Sequence, residues 1–254
     1  MRVVLLGTGT SQGIPVIGCD CSVCKSDDPH NKRTRTSALI NYGSYNIIID
    51  TATEFRIQMV DNSIKRLDAV LFTHAHADHI HGLDDIRQFN KIQSVKIPCF
   101  GNKATLDVIE NKYDYVFKST QQGGGKPDIS LNEVSLEFEL FGKKIVPLPV
   151  KHGILDILGY RIGSFAYITD ASHIPAKTLQ QIGELDVLVV NALRYEPHDT
   201  HLSVHDALDI IRTVKPKKAY LTHISHRLEH QETEDQLPRD VHMGYDGLTL
   251  ELRD

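Results

Sequence analysis

Short runs of apolar residues alternate with amphipathic stretches along this chain. Residues 70–72, 166–168 and 187–190 are continuous apolar runs, the pattern of short strands that are buried on both faces. Residues 204–212 have the apolar spacing of a helix, and residues 79–87 have the composition of a helix start. Strands that alternate with helices in this way predict a layered α/β fold.

The strand predicted at residues 68–72 is followed by four candidate metal ligands within six residues: His74, His76, Asp78 and His79. His74 and His76 are two positions apart, so they leave the strand end on the same side and can share one ion. Asp78 and His79 lie in the turn that follows and suit a second ion nearby. The alternative is a solvated, histidine-rich turn, although this ordered pattern arises by chance in roughly one chain of several hundred.

Three later residues extend this set of ligands. His152, Asp170 and His223 each stand just after an apolar run that reads as a strand. A four-coordinate ion needs ligands from distant parts of the chain, and neutral imidazole and carboxylate are ligands that zinc, manganese and iron all accept. The residue types therefore predict a metal site and leave the identity of its metals open.

In order and in context, these residues resemble the metallo-β-lactamase superfamily, whose pattern is His-x-His-x-Asp-His followed by a His, an Asp and a His on strand-end loops. The resemblance implies an αββα sandwich, with two central mixed sheets and helices on the outer faces. Asp50, which follows three consecutive isoleucines at 47–49, matches the aspartate that the family places behind its ligands. The resemblance also implies a dinuclear site, with one metal held by His74, His76 and His152, the other by Asp78, His79 and His223, and Asp170 as the bridging carboxylate.

A second candidate metal site lies near the N-terminus. Cys19, Cys21 and Cys24 are close together in a loop at about residues 18–25, and in a chain without a secretory signal such thiols indicate metal ligands rather than disulfides. A structural zinc needs a fourth ligand, for which His226 is the best placed. PhnP-type cyclic phosphodiesterases within the superfamily resemble this chain in having such a cysteine loop and such a histidine. The alternative is three free thiols on the surface.

A site that holds two cations a few ångströms apart favours hydrolysis as its chemistry. They lower the pKa of a shared water, so that hydroxide forms near neutral pH, and they neutralise charge on a phosphate or carbonyl oxygen. By resemblance to PhnP-type enzymes, His201 is the general acid, a task that suits imidazole because its ordinary pKa is about 6.5. His198 and His205, in the same segment, are assigned to the surface.

The expected function is therefore that of a dinuclear metal-dependent hydrolase. A metal-bridging hydroxide would cleave a small phosphodiester, such as a cyclic ribose phosphate or a 2',3'-cyclic nucleotide, with Asp170 and His201 as catalytic residues. Zinc or manganese, with iron as a further candidate, would occupy the dinuclear site, and one structural zinc would occupy the cysteine loop.

Other functions of the superfamily remain as alternatives. RNase Z enzymes carry a long tRNA-gripping arm between the third histidine and the bridging aspartate, whereas only 17 residues separate His152 from Asp170 here. Glyoxalase II relatives add a C-terminal helical domain, for which we expect no room after His223, and secreted β-lactamases carry an export signal. A thioesterase, another hydrolase of the fold, and a non-hydrolytic redox or metal-binding protein on the same scaffold stay open.

Length and composition agree with one compact domain over residues 1–254. The chain is 41% hydrophobic, which suffices for a sizeable core, and no long Pro/Gly/Ser linker divides it. We find neither an export signal at the N-terminus nor an 18-residue apolar run, so we expect a cytoplasmic protein that does not span a membrane. The net charge of −5 argues against a large nucleic acid as partner. The sequence leaves a homodimer open.

Four other features are expected to be structural. Residues 121–127 are glycine-rich and predict an ordinary surface loop, with a flap near the site as the alternative. Residues 7–13 lack the spacing of a nucleotide-binding loop. The charged run 32–36 is expected to be a solvated face, with a local patch for a small anion as the alternative. Cys99 is expected to be an inert core residue.

Overall fold

The computed structural model describes residues 1–119 and 125–252. Over these residues the chain forms two sheets of seven strands each, in the orders β14-β1-β2-β3-β4-β5-β6 and β13-β12-β11-β10-β9-β8-β7. The strands are β1 Arg2–Gly7, β2 Ser37–Tyr42, β3 Tyr45–Ile49, β4 Ala69–Leu71, β5 Ile97–Gly101, β6 Ile129–Glu133, β7 Phe138–Leu140, β8 Lys143–His152, β9 Leu155–Ile162, β10 Phe165–Ile168, β11 Val187–Asn191, β12 Lys218–Thr222, β13 Val241–Met243 and β14 Leu248–Glu251.

Most of the helices are short. Within the described part of the chain they are α1 Ser22–Lys25, α2 Phe55–Asp61, α3 Ala77–Ile80, α4 Ile86–Gln93, α5 Lys103–Lys112, α6 Asp114–Phe117, α7 Ala176–Gln181, α8 Val204–Val214 and α9 His230–Glu234, with 3₁₀ turns at Pro29–Asn31 and Leu83–Asp85. None of these helices is long and apolar enough to cross a membrane.

The central strands are apolar on both faces because both faces are covered. In β3, Ile47 and Ile49 face the core between the two sheets, while Ile48 faces the helical layer outside. In β11, Val189 lies in the core between the sheets and Leu188 lies in the outer core of the second sheet. Burial on both sides explains why these strands read as continuous apolar runs instead of alternating ones.

Helices cover the two outer faces. Ala207 and Ile211 of α8 pack on the outer face of the second sheet, and Ile86 and Phe89 of α4 pack on the outer face of the first. Each sheet is mixed: β3 to β6 run parallel in the first sheet, and β10 to β13 run parallel in the second. The expected αββα sandwich with two mixed central sheets is therefore confirmed.

The carboxyl ends of the parallel strands place the candidate ligands. Asp50 follows β3, Asp170 comes two residues after the end of β10, and His223 follows β12. All three adopt the left-handed backbone conformation, with φ of 62°, 58° and 56° respectively. This conformation is uncommon outside glycine, and non-glycine residues held in it cluster at functional sites. The chain thus turns sharply at three strand ends and directs polar side chains toward one edge of the sandwich.

The helix predicted to start within residues 79–87 is divided in the structure. α3 ends at Ile80 and α4 begins at Ile86, because the backbone N–H of Gly82 donates to the Thr51 carbonyl at 3.0 Å instead of continuing the helix. A Cβ on Gly82 would lie 2.3 Å from both the carbonyl oxygen of Ala52 and Cβ of Phe55. The absence of a side chain at Gly82 therefore lets the segment that carries the ligands approach α2 closely.

The expectation that the charged run 32–36 is a solvated face is wrong for Arg33, although Lys32 is exposed. Arg33 is only 2% exposed, and its guanidinium donates to Thr8 Oγ1 at 2.7 Å and to the Gly244 carbonyl at 2.5 Å. Burial lowers the pKa of Arg33 to about 10. The hydrogen bonds that replace water allow this charge to lie inside the protein, where Arg33 joins the loop after β1 to the segment before β14.

The remaining structural expectations are tested only in part. Cys99 is fully buried in the core on the outer face of the first sheet, as predicted. Residues 120–124 lie outside the described residues, and with them most of the glycine-rich loop predicted at 121–127. The single-domain boundaries stay a prediction.

We predict that Gly82→Ala lowers the free energy of unfolding by about 1 to 3 kcal/mol, because the added methyl group overlaps the backbone of Ala52 and the side chain of Phe55. Chemical denaturation at equal metal content measures this change. Gly183→Ala is the matched control, since a Cβ there would lie 3.9 Å from its nearest neighbour, the Gln180 carbonyl. Equal denaturation midpoints for the two variants would contradict the close approach.

Candidate metal centre

The first pair of predicted ligands converges directly after β4. His74 Nε2 and His76 Nδ1 are 3.0 Å apart. Thr73 Oγ1 donates to Asp50 Oδ2 at 2.7 Å, so the same hydroxyl accepts from His74 Nδ1, which lies 3.0 Å away. His74 therefore presents Nε2 to the centre. His74 is buried and His76 is exposed, which places His76 at the mouth of the site.

His152 and Asp170 complete the first group of ligands. In this group of four residues, with His74 and His76, one ligand atom of each residue lies within 4.8 Å of the others. His152 is the last residue of β8, and its Nδ1–H donates to the Thr200 carbonyl at 2.7 Å. This hydrogen bond leaves Nε2 of His152 free to bind a metal.

A second group of four residues shares the carboxylate of Asp170. It consists of Asp78, His79, Asp170 and His223, again with one ligand atom of each within 4.8 Å of the others, and all four are buried. His79 Nε2 lies 3.2 Å from Asp78 Oδ2 and 3.3 Å from Asp170 Oδ1. His223 Nδ1 lies 3.1 Å from the same Asp170 oxygen. The structure thus brings together all seven residues predicted for the dinuclear site.

Asp50 orients the centre from behind. Its carboxylate accepts from His79 Nδ1 at 2.7 Å and from the backbone N–H of Thr73 at 2.8 Å. A histidine whose Nδ1–H is held by a carboxylate keeps one tautomer and presents Nε2 to a metal. Asp50 therefore has the geometry that the resemblance to the metallo-β-lactamase superfamily implied for it.

The residues fit divalent metals. His79 Nε2 is buried and makes no hydrogen bond to the described residues, although it faces two carboxylates. Burial lowers the pKa of His79, but Asp170, Asp78 and Asp50 outweigh burial and raise it well above the ordinary value. Burial raises the pKa of Asp170, but His223 and His79 outweigh it and hold the pKa well below the ordinary value. The site therefore favours positive charge at its centre, which divalent ions would supply.

His201 lies at the edge of this centre. Its Nε2 is 3.4 Å from Asp170 Oδ2, and its ring stacks on that of His223 with centroids 4.9 Å apart. The other ring nitrogen, Nδ1, is 2.9 Å from Thr200 Oγ1 and 3.3 Å from His198 Nδ1. His201 is therefore within reach of a molecule bound beside Asp170. His198 is exposed as expected but belongs to the same surroundings, while His205 is exposed on α8.

The cysteine loop also converges as predicted. The Sγ atoms of Cys19, Cys21 and Cys24 lie 3.2, 3.5 and 3.6 Å from His226 Nδ1. The backbone N–H of Cys24 donates to Cys21 Sγ and, as the largest cause, lowers the pKa of Cys21 to about 6. Burial raises the pKa of Cys24 to about 11. Three thiols and one imidazole in this arrangement match the ligands of a structural zinc site.

Several orienting groups were missed by the sequence reasoning. Thr10 Oγ1 and Thr36 Oγ1 each lie 3.1 Å from a ring nitrogen of His223 and hold the ring between them. The Thr200 carbonyl orients His152 in the same way. Threonine hydroxyls and backbone carbonyls have no spacing pattern that marks such a role. The one available signal was the position of Thr200 directly before His201.

Comparison with known proteins agrees with this geometry. A family model described as a β-lactamase superfamily domain matches residues 45–224, which include the ligands from His74 to His223. The chain therefore belongs to the metallo-β-lactamase superfamily.

Within the superfamily, the chain is of the PhnP type. It is 41% identical to a new diphosphatase from the PhnP family, whose crystal structure matches with a TM-score of 0.93 over 99% of this chain and 98% of that chain. A ribonuclease Z from Pyrobaculum islandicum is 26% identical over 91% of this chain and 89% of that protein.

A further relative is longer than this chain. An octanoyltransferase from Porphyromonas gingivalis is 40% identical over 253 residues, which are 98% of this chain and 51% of that protein. This chain thus spans about half the length of that curated relative.

Proposed function

We propose that this protein is a metal-dependent phosphodiesterase that cleaves a small, cyclic phosphodiester, with His201 as the general acid. The observation that carries the proposal is the arrangement around Asp170, whose carboxylate is shared by two groups of ligands and lies 3.4 Å from His201 Nε2. This arrangement combines a place for two cations with a proton donor beside it. Both contribute to the cleavage of a phosphodiester with a poor leaving group.

The two groups of ligands would hold two divalent ions, zinc or manganese, with iron as a further candidate. Such ions lower the pKa of a shared water and neutralise negative charge on a bound phosphate. The protein's own residues fix the ligands: Asp50 holds His79, Thr200 holds His152, and Thr10 and Thr36 hold His223.

His201 would supply the proton that the departing oxygen needs. Its Nδ1 side is held by Thr200 Oγ1, and its Nε2 faces the centre. In a cyclic substrate the departing oxygen stays attached to the product, so rapid protonation also prevents the ring from closing again.

A small substrate agrees with the local architecture. The segment between His152 and Asp170 is accounted for by β9 and β10, which pair with each other and form part of the second sheet. No inserted arm lies there to grip a large nucleic acid. A small phosphodiester as substrate, a homodimer and a cytoplasmic location stay predictions.

Cleavage of a diphosphate is the second candidate activity. The observation in its favour is the relationship to a PhnP-family diphosphatase, at 41% identity over nearly the whole of both chains. Both reactions break a P–O bond next to charged phosphate oxygens, so the same centre would serve both. A panel that contains cyclic phosphodiesters and diphosphates distinguishes them.

We also propose that Cys19, Cys21, Cys24 and His226 hold a structural zinc. Their side chains meet between the loop after β1 and the loop after β12, which are 202 or more residues apart in sequence. A metal that joins such distant segments contributes directly to folding, because its ligands converge only in the native state.

Asp170→Ala should abolish metal-dependent hydrolysis of bis(p-nitrophenyl) phosphate. We expect turnover to fall by at least about a thousandfold, because the substitution removes the shared carboxylate. Several kcal/mol of charge stabilisation are lost with it. Turnover and metal content are measured on one preparation, after chelation and after manganese or zinc is added back. Asp107→Ala, at an exposed position on α5, is the control. Full metal loading of wild-type protein without turnover would favour a thioesterase, redox or binding function.

His201→Ala should reduce turnover in proportion to the need for a proton. We expect a loss of roughly a hundredfold or more on an alkyl or cyclic nucleotide phosphodiester and a much smaller loss on an activated aryl ester, whose leaving group departs without protonation. His205→Ala, at an exposed position, is the matched control. Wild-type rates on both kinds of ester would rule out His201 as the general acid.

Cys21→Ser should lower zinc content and stability together. We expect the loss of about one zinc per chain and a fall in melting temperature of about 5 °C or more. Elemental analysis and a thermal melt measure the two effects, with the neighbouring exposed residue changed in Ser22→Ala as control. A variant that keeps its zinc and its melting temperature would show that no structural zinc depends on Cys21.

A further inference from the structure

Two short segments of the chain, residues 8–10 after β1 and residues 34–36 before β2, lie side by side behind the metal centre. Each has a threonine at its first and third positions. They run parallel, with a bridge between Gly9 and Arg35, and the backbone N–H of Gly9 donates to the Thr34 carbonyl at 2.8 Å. These paired segments therefore form one small unit, although they are distant in sequence.

The third residues of the paired segments hold His223. Thr10 Oγ1 and Thr36 Oγ1 lie 3.1 Å from Nε2 and Nδ1 of its ring respectively. The Thr36 hydroxyl is itself fixed, because it donates to the Gly9 carbonyl at 2.7 Å. Thr10 and Thr36 are both buried. The position of the His223 ring thus depends on where the paired segments lie.

The first residues of the paired segments are held by one carboxylate, that of Asp246. Its Oδ1 accepts from the backbone N–H and the hydroxyl of Thr8 at 2.9 and 2.8 Å. Its Oδ2 accepts from the backbone N–H and the hydroxyl of Thr34, both at 2.7 Å. Hydrogen bonds to an ionised acceptor are short and strong. Asp246 therefore fastens the two segments together.

Neighbouring donors direct both hydroxyls toward Asp246. The Thr8 hydroxyl accepts from the Arg33 guanidinium at 2.7 Å, and the Thr34 hydroxyl accepts from Gln58 Nε2 at 2.9 Å. A hydroxyl that accepts from such a donor has its own proton left to donate. The four hydrogen bonds to Asp246 are thus built into a larger network.

The loop that carries Asp246 is fixed to both sheets. The backbone N–H of Gly244 donates to the Leu221 carbonyl in β12 at 2.8 Å, and that of Gly247 donates to the Leu5 carbonyl in β1 at 2.7 Å. The carboxylate therefore has a defined position relative to the strand ends from which the ligands project.

We infer that Asp246 is a positioning residue for His223, and that it acts through the paired segments on the metal held by Asp78, His79, Asp170 and His223. It touches neither the ligands nor a substrate. The other group of ligands should depend on it less, because Thr73 and Thr200 orient His74 and His152 there. The inference rests on the dinuclear centre of the proposed function, and it adds a residue that sets the affinity of one of the two metal positions.

Asp246→Asn tests the inference by metal affinity. The amide keeps the shape of the carboxylate, but its NH₂ group faces the donors of one threonine, so one side of the attachment is lost. Manganese is titrated calorimetrically into chelated wild-type and variant protein. We expect the affinity for one manganese ion per chain to fall by about tenfold or more and the affinity for the other to change by less than about twofold. Asp240→Asn, at an exposed position in the turn before β13, is the control.

A double-mutant cycle separates positioning from a general loss of stability. Thr10→Val combined with Thr36→Val removes the hydroxyls that hold His223 and keeps their shape. If Asp246 acts through these hydroxyls, Asp246→Asn should have little further effect on metal affinity in this background. A purely structural role would instead weaken both metal positions equally, with effects that add, and this result would overturn the inference.

Hydrogen exchange in the metal-free protein keeps the test independent of metal and of turnover. The backbone N–H of Ile224 donates to the Thr8 carbonyl at 2.9 Å, and that of Thr10 donates to the Ile224 carbonyl at 3.1 Å. We expect both amides to exchange faster in Asp246→Asn than in wild type, while Val189 in β11 stays protected in both.

The outcomes separate the two proposals. A wild-type protein that hydrolyses no phosphodiester, together with the expected effects of Asp246→Asn on metal affinity and amide exchange, would contradict the phosphodiesterase and support the positioning role. Phosphodiester hydrolysis by wild type, with metal affinities and amide exchange unchanged in Asp246→Asn, would overturn the positioning role and leave the proposed function intact.

Discussion

The arrangement of the loops at the candidate metal centre depends on one buried carboxylate. Asp170 is 2% exposed, and its two oxygens face histidines from three separate parts of the chain: His79 after β4, His201 before α8 and His223 after β12. A buried charge is tolerated only where other charges or metal ions compensate it. Each of these histidines comes from a different loop, so the charge of Asp170 is fully compensated only when all three loops are in their native positions. Both sheets must therefore be in place before the centre exists.

The sandwich provides the rigid support for that set. Parallel strands end at one edge, and three left-handed residues turn the chain there so that Asp50, Asp170 and His223 project into a common space. The conformational strain of each turn is small compared with the burial of the strands that precede it, because every residue of β10 and β11 is buried, as are the last three residues of β3 and the last four of β12. The positions of these side chains are thus fixed by strand ends, which cannot shift without disturbing the packing on both faces of a sheet.

Much of the fold and of the candidate site could be predicted from the sequence, for a physical reason. The candidate ligands follow continuous apolar runs, and such a run is typical of a strand that is buried on both faces. The layered fold and the strand ends at which the seven residues converge were therefore predictable. Arg33 was not, because a charged run reads as solvated until its hydrogen-bond partners are known. The break at Gly82 could not be predicted either, because it depends on the approach of α2. The features that could not be predicted depend on tertiary contacts between distant parts of the chain.

The loop after β12 carries both His223 and His226, only three residues apart. Its backbone is also joined to the loop after β1, through the N–H of Ile224 to the Thr8 carbonyl and the N–H of Thr10 to the Ile224 carbonyl. One short peptide thus contributes to both candidate metal sites. Evolution of either site is constrained by the other, since an insertion or deletion between these histidines would change the spacing of both at once. The cysteine loop is in this sense coupled to the candidate dinuclear centre, although none of its cysteines belongs to the two groups of ligands there.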